Sequence, residues 1–538
     1  MELKSIEKID KAMKFSRQDS FRLTVGVLFI GLIMMLSFLQ EGSNSTVLII
    51  AAMIGGYMAM NIGANDVANN VGPAVGSGAV TLMGAIIIAS IFEAAGALIA
   101  GGDVVSTIKK GIIDPALIDD ANTFIWLMLA ALLSAALWLN LATAVGAPVS
   151  TTHSIVGGVM GAGIAAGGWA IVSWPTMGKI AASWVISPVL GGLIAAGFLL
   201  FIKKNITFKE DMVTAAKKTV PFLIALMSLA FVTYLTLKGL KKVWPDIVEL
   251  LPFLPETKKP TLSVALTFGA IAAVISFYFM NKSVREKASE LSNTRESINT
   301  LFTIPLIFAA ALLSFAHGAN DVANAVGPLA AINDAITHGG VSKKVDIPLW
   351  VMLIGAVGIS VGLALYGPKL IRTVGSEITE LDRMRAFAIA MAAAITVIIA
   401  SQLKLPVSST HIAVGGVFGV GLLREFLQRL DVNDSDTHTL ATMKEAHEGV
   451  EDFIKRFNTA PKAEQEAIIK AVKNKKSTIN SELQLSKKER KLLRKLFKQE
   501  LVKRSAMSKI IAAWLITVPA SATLAALLFF MIRGFMLP

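Results

Sequence analysis

The sequence predicts an all-α, polytopic membrane protein made of two inverted repeats, each carrying a re-entrant helical hairpin, plus a small helical cytosolic insert. Three observations lead there. Of the 538 residues, 54% are apolar and only 17% charged, against roughly 45–50% and about 25% in soluble proteins. Apolar strings of about 20 residues, the length a helix needs to cross hydrocarbon, recur along the chain. Two motifs each occur twice, in the same order and at nearly the same spacing.

Composition also excludes. Subtracting 38 acidic from 51 basic side chains leaves +13, but the excess sits in short segments between apolar strings rather than along one face, which excludes a nucleic-acid partner. The chain has no cysteine, which removes disulfides, thiolate metal sites and cysteine nucleophiles. No set of nucleophile, base and orienter lies outside the apolar strings, and no G-x-x-x-x-G-K-[ST] loop is present, so the chain is not read as an enzyme. The first 20 residues are too long and too mixed in charge for a secretory n-region, and the next apolar run is read as a retained span.

The apolar strings of the first half cover residues 21–39, 46–64, 82–101, 123–146, 149–166, 180–202 and 221–237. Those of the second cover 261–280, 300–318, 349–366, 386–403, 407–423 and 509–531. GANDVANNVGP, starting at Gly63, returns as GANDVANAVGP at Gly318, with ten of eleven positions identical. PVSTTHSIVGGVMGAG, starting at Pro148, returns as PVSSTHIAVGGVFGVG at Pro406. The offsets, 255 and 258, show one order of parts used twice.

Lysine and arginine in short loops tend to stay cytoplasmic. The basic segments 4–17, 203–218, 282–295 and 369–385 fall on one side together if the stretches flanking each PVS[ST]T string are two legs of a hairpin. The loop 238–259, with five lysines, argues the other way. Under this scheme the two halves run in opposite directions, the organisation of secondary transporters, whose substrate site lies near the midplane between repeats. The chain then divides into a cytosolic segment 1–20, an extra span 21–45, a first repeat 46–217, connecting spans and a loop 218–298, the second repeat 299–423, an insert 424–505 and a last span 506–538. The insert holds 19 basic and 13 acidic residues, and its capping signals predict helices near 458–473 and 486–501.

An ionisable side chain inside a membrane is costly and therefore a functional candidate. Asp66 and Asp321 each sit in a GANDVAN string at the end of an apolar helix, among Asn65, Asn69, Asn320 and Asn324. Carboxylate and amide oxygens, with glycine and proline expected to break the helix and free backbone carbonyls, suit a hard cation such as sodium. The tips Ser150, Thr151, Thr152 and Ser408, Ser409, Thr410 each follow a proline and precede a helix. Three hydroxyls at a helix start form an anion cradle for phosphate or sulfate, with Asn69 and Asn324 as further phosphate contacts. His153 and His411 follow the tips and either donate to an anion, shuttle a proton or pack. Glu93, with no carboxylate opposite it in the second half, is a cation ligand or a protonated acid bonded inside the bundle. Lys404 either complements the anion or pairs with a buried carboxylate. Phosphate and two aspartates in one low-dielectric pocket repel unless cations enter with the anion, so cation symport follows more naturally than uniport.

At these residues the sequence resembles the PiT family of inorganic phosphate transporters, whose mark is a duplicated G-A-N-D-V-A-N element in oppositely oriented halves. The resemblance covers the membrane part of the chain. It implies sodium- or proton-coupled phosphate symport, with sodium as co-substrate and no other cofactor, a site built from Asn65, Asp66, Asn69, Asn320, Asp321, Asn324 and the two hydroxyl tips, and a scaffold region able to form a homodimer. The extra span 21–39 and an insert within the second half depart from the family pattern. The expected function is alternating-access import of inorganic phosphate across a bacterial inner membrane. Its rivals are proton-coupled or sulfate symport and a non-transporting phosphate-responsive sensor.

Overall fold

The structure is a computed structural model. It describes residues 17–39, 45–118, 120–145, 149–241, 243–339, 347–377, 381–434 and 504–536. Both helices expected in the insert lie outside these residues. The chain divides into two compact units, Met1–Gly419 with Ala506–Pro538, and Val420–Ser505.

The described residues are helical, with no strand beyond a single bridge between Ile113 and Val172. In chain order the main helices are α1 (Arg17–Phe38), α2 (Thr46–Asn65), α3 (Val67–Gly76), α4 (Leu82–Ala100), α5 (Gly102–Lys110), α6 (Ala121–Val145), α7 (Thr151–Gly167), α8 (Trp174–Ile202), α9 (Met212–Gly239), α10 (Leu262–Ala288), α11 (Thr303–His338), α12 (Leu349–Glu377), α13 (Arg383–Gln402), α14 (Ser409–Asp434) and α15 (Arg504–Met536). Among the described residues twelve helical stretches are long and apolar enough to cross a membrane; this is an integral membrane protein. The expected string 149–166 becomes α7, which at 17 residues is shorter than those twelve.

Helix starts follow from local chemistry. The Thr81, Ser150 and Asp382 side chains accept from the backbone N–H of Gly84, His153 and Arg385, satisfying donors that the first turn leaves open. The GANDVAN strings do not break as expected. α11 runs unbroken through the second copy for 36 residues, Pro328 included. In the first copy only Asp66 interrupts, and it keeps right-handed helical angles and a 2.9 Å bond from its N–H to the Ile62 carbonyl. The glycines serve close approach instead: a Cβ on Gly63 would collide with the Ile359 carbonyl of α12, and one on Gly318 with the Glu93 carbonyl of α4. Where lipid removes the hydrophobic drive between helices, such backbone proximity supplies the packing.

These contacts are reciprocal between the copies. α2, which carries the first motif, packs on α12, the helix that follows the second motif; α11, which carries the second, packs on α4, which follows the first. The tip helices do the same. Gly161 of α7 meets Ala522 of α15, and Gly415 of α14 meets Pro188 of α8. Each half therefore supplies walls for the other, and the motifs and tips are brought to one place.

Beyond the end of α4, Asp103 accepts from Lys238 Nζ (2.6 Å) and Lys241 Nζ (3.1 Å). These are two of the five lysines in the loop that opposes the charge-based topology. Burial alone would raise the Asp103 carboxyl, but the two ammonium groups outweigh it and hold it below the ordinary carboxylate range. A depressed folded value stabilises the fold above the ordinary range and stops doing so as pH falls through the depressed value. Thermal melts taken from neutral to acid pH are expected to show an acid-side loss of melting temperature in the wild type that Asp103→Asn lacks. With Lys241 half exposed the effect is small, below about 1 kcal/mol.

Candidate functional site

Asp66, Asp321, Asn65, Asn69, Asn320 and Asn324 are all at most 1% exposed, and the six tip residues at most 2%. Asp66, Asn69, Thr151, Thr152, Asn324 and Thr410 form one hydrogen-bonded cluster, with the Asp321–Ser409 pair beside it. Thr151 Oγ1 donates to Asp66 Oδ2 (2.6 Å), and in the other half Ser409 Oγ donates to Asp321 Oδ2 (3.1 Å). Bonds also cross between halves. Asn69 Nδ2 donates to Thr410 Oγ1 (2.9 Å), and its counterpart Asn324 Nδ2 donates to Thr152 Oγ1 (3.1 Å) and Thr151 Oγ1 (3.0 Å). Thr410 Oγ1 lies 3.1 Å from Asp66 Oδ1, to which it donates.

Asn65 and Asn320 hold the tips in register. The Asn65 oxygen accepts from the N–H of Val149 (3.2 Å) and the Asn320 oxygen from that of Val407 (3.4 Å). Their amides donate to Thr143 and Ser401, at the ends of the helices leading into the tips. Of the tip hydroxyls, Thr152 Oγ1 donates to the Val407 carbonyl across the halves (2.9 Å). Ser150 Oγ and Ser408 Oγ accept the N–H of His153 and His411 and act as ordinary helix caps. The capping alternative fails for the aspartate: Asp66 makes no side-chain cap bond.

Glu93 is fully buried, with Oε1 accepting from Asn70 (2.8 Å) and Oε2 2.7 Å from His317 Nδ1. His317 Nε2 stands 3.0 Å from Asp321 Oδ2 without hydrogen-bond alignment. A chain Asn70–Glu93–His317–Asp321 thus reaches the site from one side. His317 and Asn70 escape a sequence reading that looks for matching positions, because neither has a match: 255 residues earlier His317 is Ile62, and 255 later Asn70 is Ala325, the one mismatch in the eleven-residue motif. That mismatch is the signal that would have found Asn70, while His317 stands one residue before its motif. Lys404 is exposed, at φ 58°, and its carbonyl rather than its ammonium is engaged, by Thr107 Oγ1 (2.9 Å). The structure does not bring its charge to the cluster, and it makes no ion pair with a buried carboxylate. His153 and His411 are brought together behind the tips.

Single ligand atoms of Asp66, His317 and Asp321 all lie within 4.8 Å of one another. Two like charges at 4.8 Å repel by roughly 3.5 kcal/mol at an effective dielectric constant of 20. The cluster is also short of donors: Asn69 Oδ1, Asn324 Oδ1 and Asp321 Oδ1 are buried acceptors with no partner. Each such oxygen costs about 1–3 kcal/mol unless something positive meets it. Carboxylate, amide and hydroxyl oxygens in this number are the donor set of a hard cation, while the tip hydroxyls and helix starts suit an anion.

The description "phosphate transporter family" belongs to the family model that matches residues 62–525, a range containing both motifs and both tips. Two Helicobacter pylori proteins named as candidate phosphate permeases are 52% and 53% identical, over 98% of this chain and 98% of theirs. A Pyrococcus furiosus protein named in the same way is 40% identical over 378 residues, 70% of this chain and 88% of its own. A solved structure described as the sodium-dependent phosphate transporter superposes with a TM-score of 0.72 at 31% identity, covering 92% of this chain and 100% of that one. With a doubled acidic motif, paired hydroxyl tips and a family match over most of its length, the chain belongs to the phosphate transporter family, whose members carry phosphate across membranes.

Proposed function

We propose that this chain imports inorganic phosphate by sodium-coupled symport, working by alternating access in a bacterial inner membrane, with its two halves inserted in opposite directions. The observation that carries the reading is the matched pair of unpartnered amide oxygens, Asn69 Oδ1 and Asn324 Oδ1, beside two buried aspartates. Sodium ions entering as co-substrates meet these oxygens together with Asp66 and Asp321. Asn65 and Asn320, whose oxygens are already taken by backbone N–H groups, position the tips rather than the ions. Phosphate lies against Thr151, Thr152, Ser409 and Thr410. As the cations neutralise the aspartates, the hydroxyls now donating to carboxylates turn to the anion, so neither ligand binds well alone. Glu93, through His317, holds Asp321 in place. The sodium-dependent phosphate transporter named in the structural comparison supports the choice of ion.

Uptake of labelled phosphate into proteoliposomes tests this. An inward sodium gradient is expected to drive accumulation that an imposed pH gradient alone does not; each net charge moved inward down 100 mV adds about 2.3 kcal/mol. A specific observation favours a proton-coupled reading: the Glu93–His317–Asp321 chain joins two acids through an imidazole. Uptake indifferent to sodium and driven by the pH gradient would move the coupling there. A chain that acts only as a sensor would show no uptake in either gradient.

A further inference from the structure

Four rings behind the tips have no part in the cation site. His153 and His411 are the third residues of α7 and α14, and their ring centroids lie 4.4 Å apart. Trp184 of α8 lies against His153 at 3.8 Å with the rings tilted by 35°, and Trp514 of α15 stacks on His411 at 3.6 Å. The column thus draws one ring from each of the four reciprocally packed helices. His153 is 5% exposed and His411 1%. His153 Nδ1, both nitrogens of His411 and both indole Nε1 atoms are buried without a hydrogen-bond partner. Among the described residues no carboxylate pairs with either imidazole.

Stacking uses the faces of these rings, and their nitrogens lie in the ring planes, at the edges. Five polar edge atoms are therefore buried without a partner, three of them on the residues next to Thr152 and Thr410. An uncharged imidazole offers one N–H and one bare nitrogen. A ligand that satisfies both must accept and donate. Phosphate does so, because near neutral pH it keeps at least one P–OH; sulfate keeps none and only accepts.

We propose that His153 and His411 are specificity-determining residues: a bare ring nitrogen accepts the P–OH hydrogen, so the site takes a protonated tetrahedral oxyanion and refuses sulfate. Trp184 and Trp514 hold the two imidazoles in place. This inference rests on the phosphate-symport reading above and names the chemical form that the site selects.

His153→Phe and His411→Phe keep a stacking ring and remove the nitrogens. Sodium-driven phosphate uptake into proteoliposomes is measured against rising sulfate, together with equilibrium binding of phosphate and of sulfate to the purified full chain, so that a slow variant is still read. The expected result is a fall in phosphate-over-sulfate preference of about 10-fold or more in each variant, with partial recovery in His411→Gln, whose amide oxygen accepts. Unchanged exclusion of sulfate would mean that the rings only pack, and equal loss of both anions would also overturn the assignment, since discrimination is what it claims. Failure of the wild type to take up phosphate would sink the symport reading itself, a separate result.

Discussion

Asp66→Asn is expected to lower sodium-driven phosphate uptake by at least ~100-fold while the protein still inserts and folds. The carboxylate accepts Thr151 from its own half and Thr410 from the other. Asparagine keeps the shape: one hydroxyl keeps its acceptor oxygen, the other can turn to accept from the amide N–H, and the packing survives. What goes is the charge. A cation held at the repulsion distance estimated above gains about 3 kcal/mol from each carboxylate, and each 1.4 kcal/mol is a factor of ten. Asp321→Asn should behave alike, because Ser409 stands to it as Thr151 does to Asp66. Labelled uptake at matched protein per vesicle is the measurement. Near-normal transport by both variants would show that the cations bind elsewhere.

The second large effect is structural. Gly318→Ala is expected to destabilise the protein by at least ~2–3 kcal/mol, the upper part of the range for overpacking, and to abolish transport. A Cβ there meets the backbone carbonyl of Glu93, and the reciprocal Gly96 meets that of Phe315. Backbone cannot swing aside as a side-chain end does, so α4 and α11 must part. Parting them also draws Glu93 from His317, which breaks the chain that holds Asp321. Gly31→Ala and Gly178→Ala, where nothing lies within 4 Å of the added atom, are the controls and should melt like the wild type. Thermal melts in detergent with size-exclusion profiles read the difference.

The helices were legible because apolar length alone predicts a span, and the site was legible because duplication marks what both halves need. Asp66, Asp321 and the tips are near-identical strings, and they meet. Three things were hidden, for physical reasons. The continuity of α11 through Gly318 and Pro328 could not be read, since glycine and proline weaken a helix in isolation while packing against Glu93 and its neighbours restores it. The division of labour among asparagines depends on which amide end faces which partner. That separates Asn65 and Asn320, bound to backbone, from Asn69 and Asn324, whose oxygens stay open. The third was the pair of partners that hold Glu93, namely Asn70 and His317, which stand where the copies differ. A reading that searches for symmetry passes over the residues that break it. The first serine of each tip is a helix cap, a role that asks for the same residue at the same place as an anion ligand does.

The central claim is that two half-sites form one pocket shared by anion and cation. Equilibrium binding of labelled phosphate to the purified chain, with and without sodium, measures it directly when repeated on Thr151→Val, Ser409→Val and the double variant. One phosphate per chain is expected, bound more tightly in sodium, with either single variant weakening that one site and the pair adding less than the sum of the two. Two phosphates per chain, or wild-type affinity kept at half occupancy after one tip is altered, would contradict it.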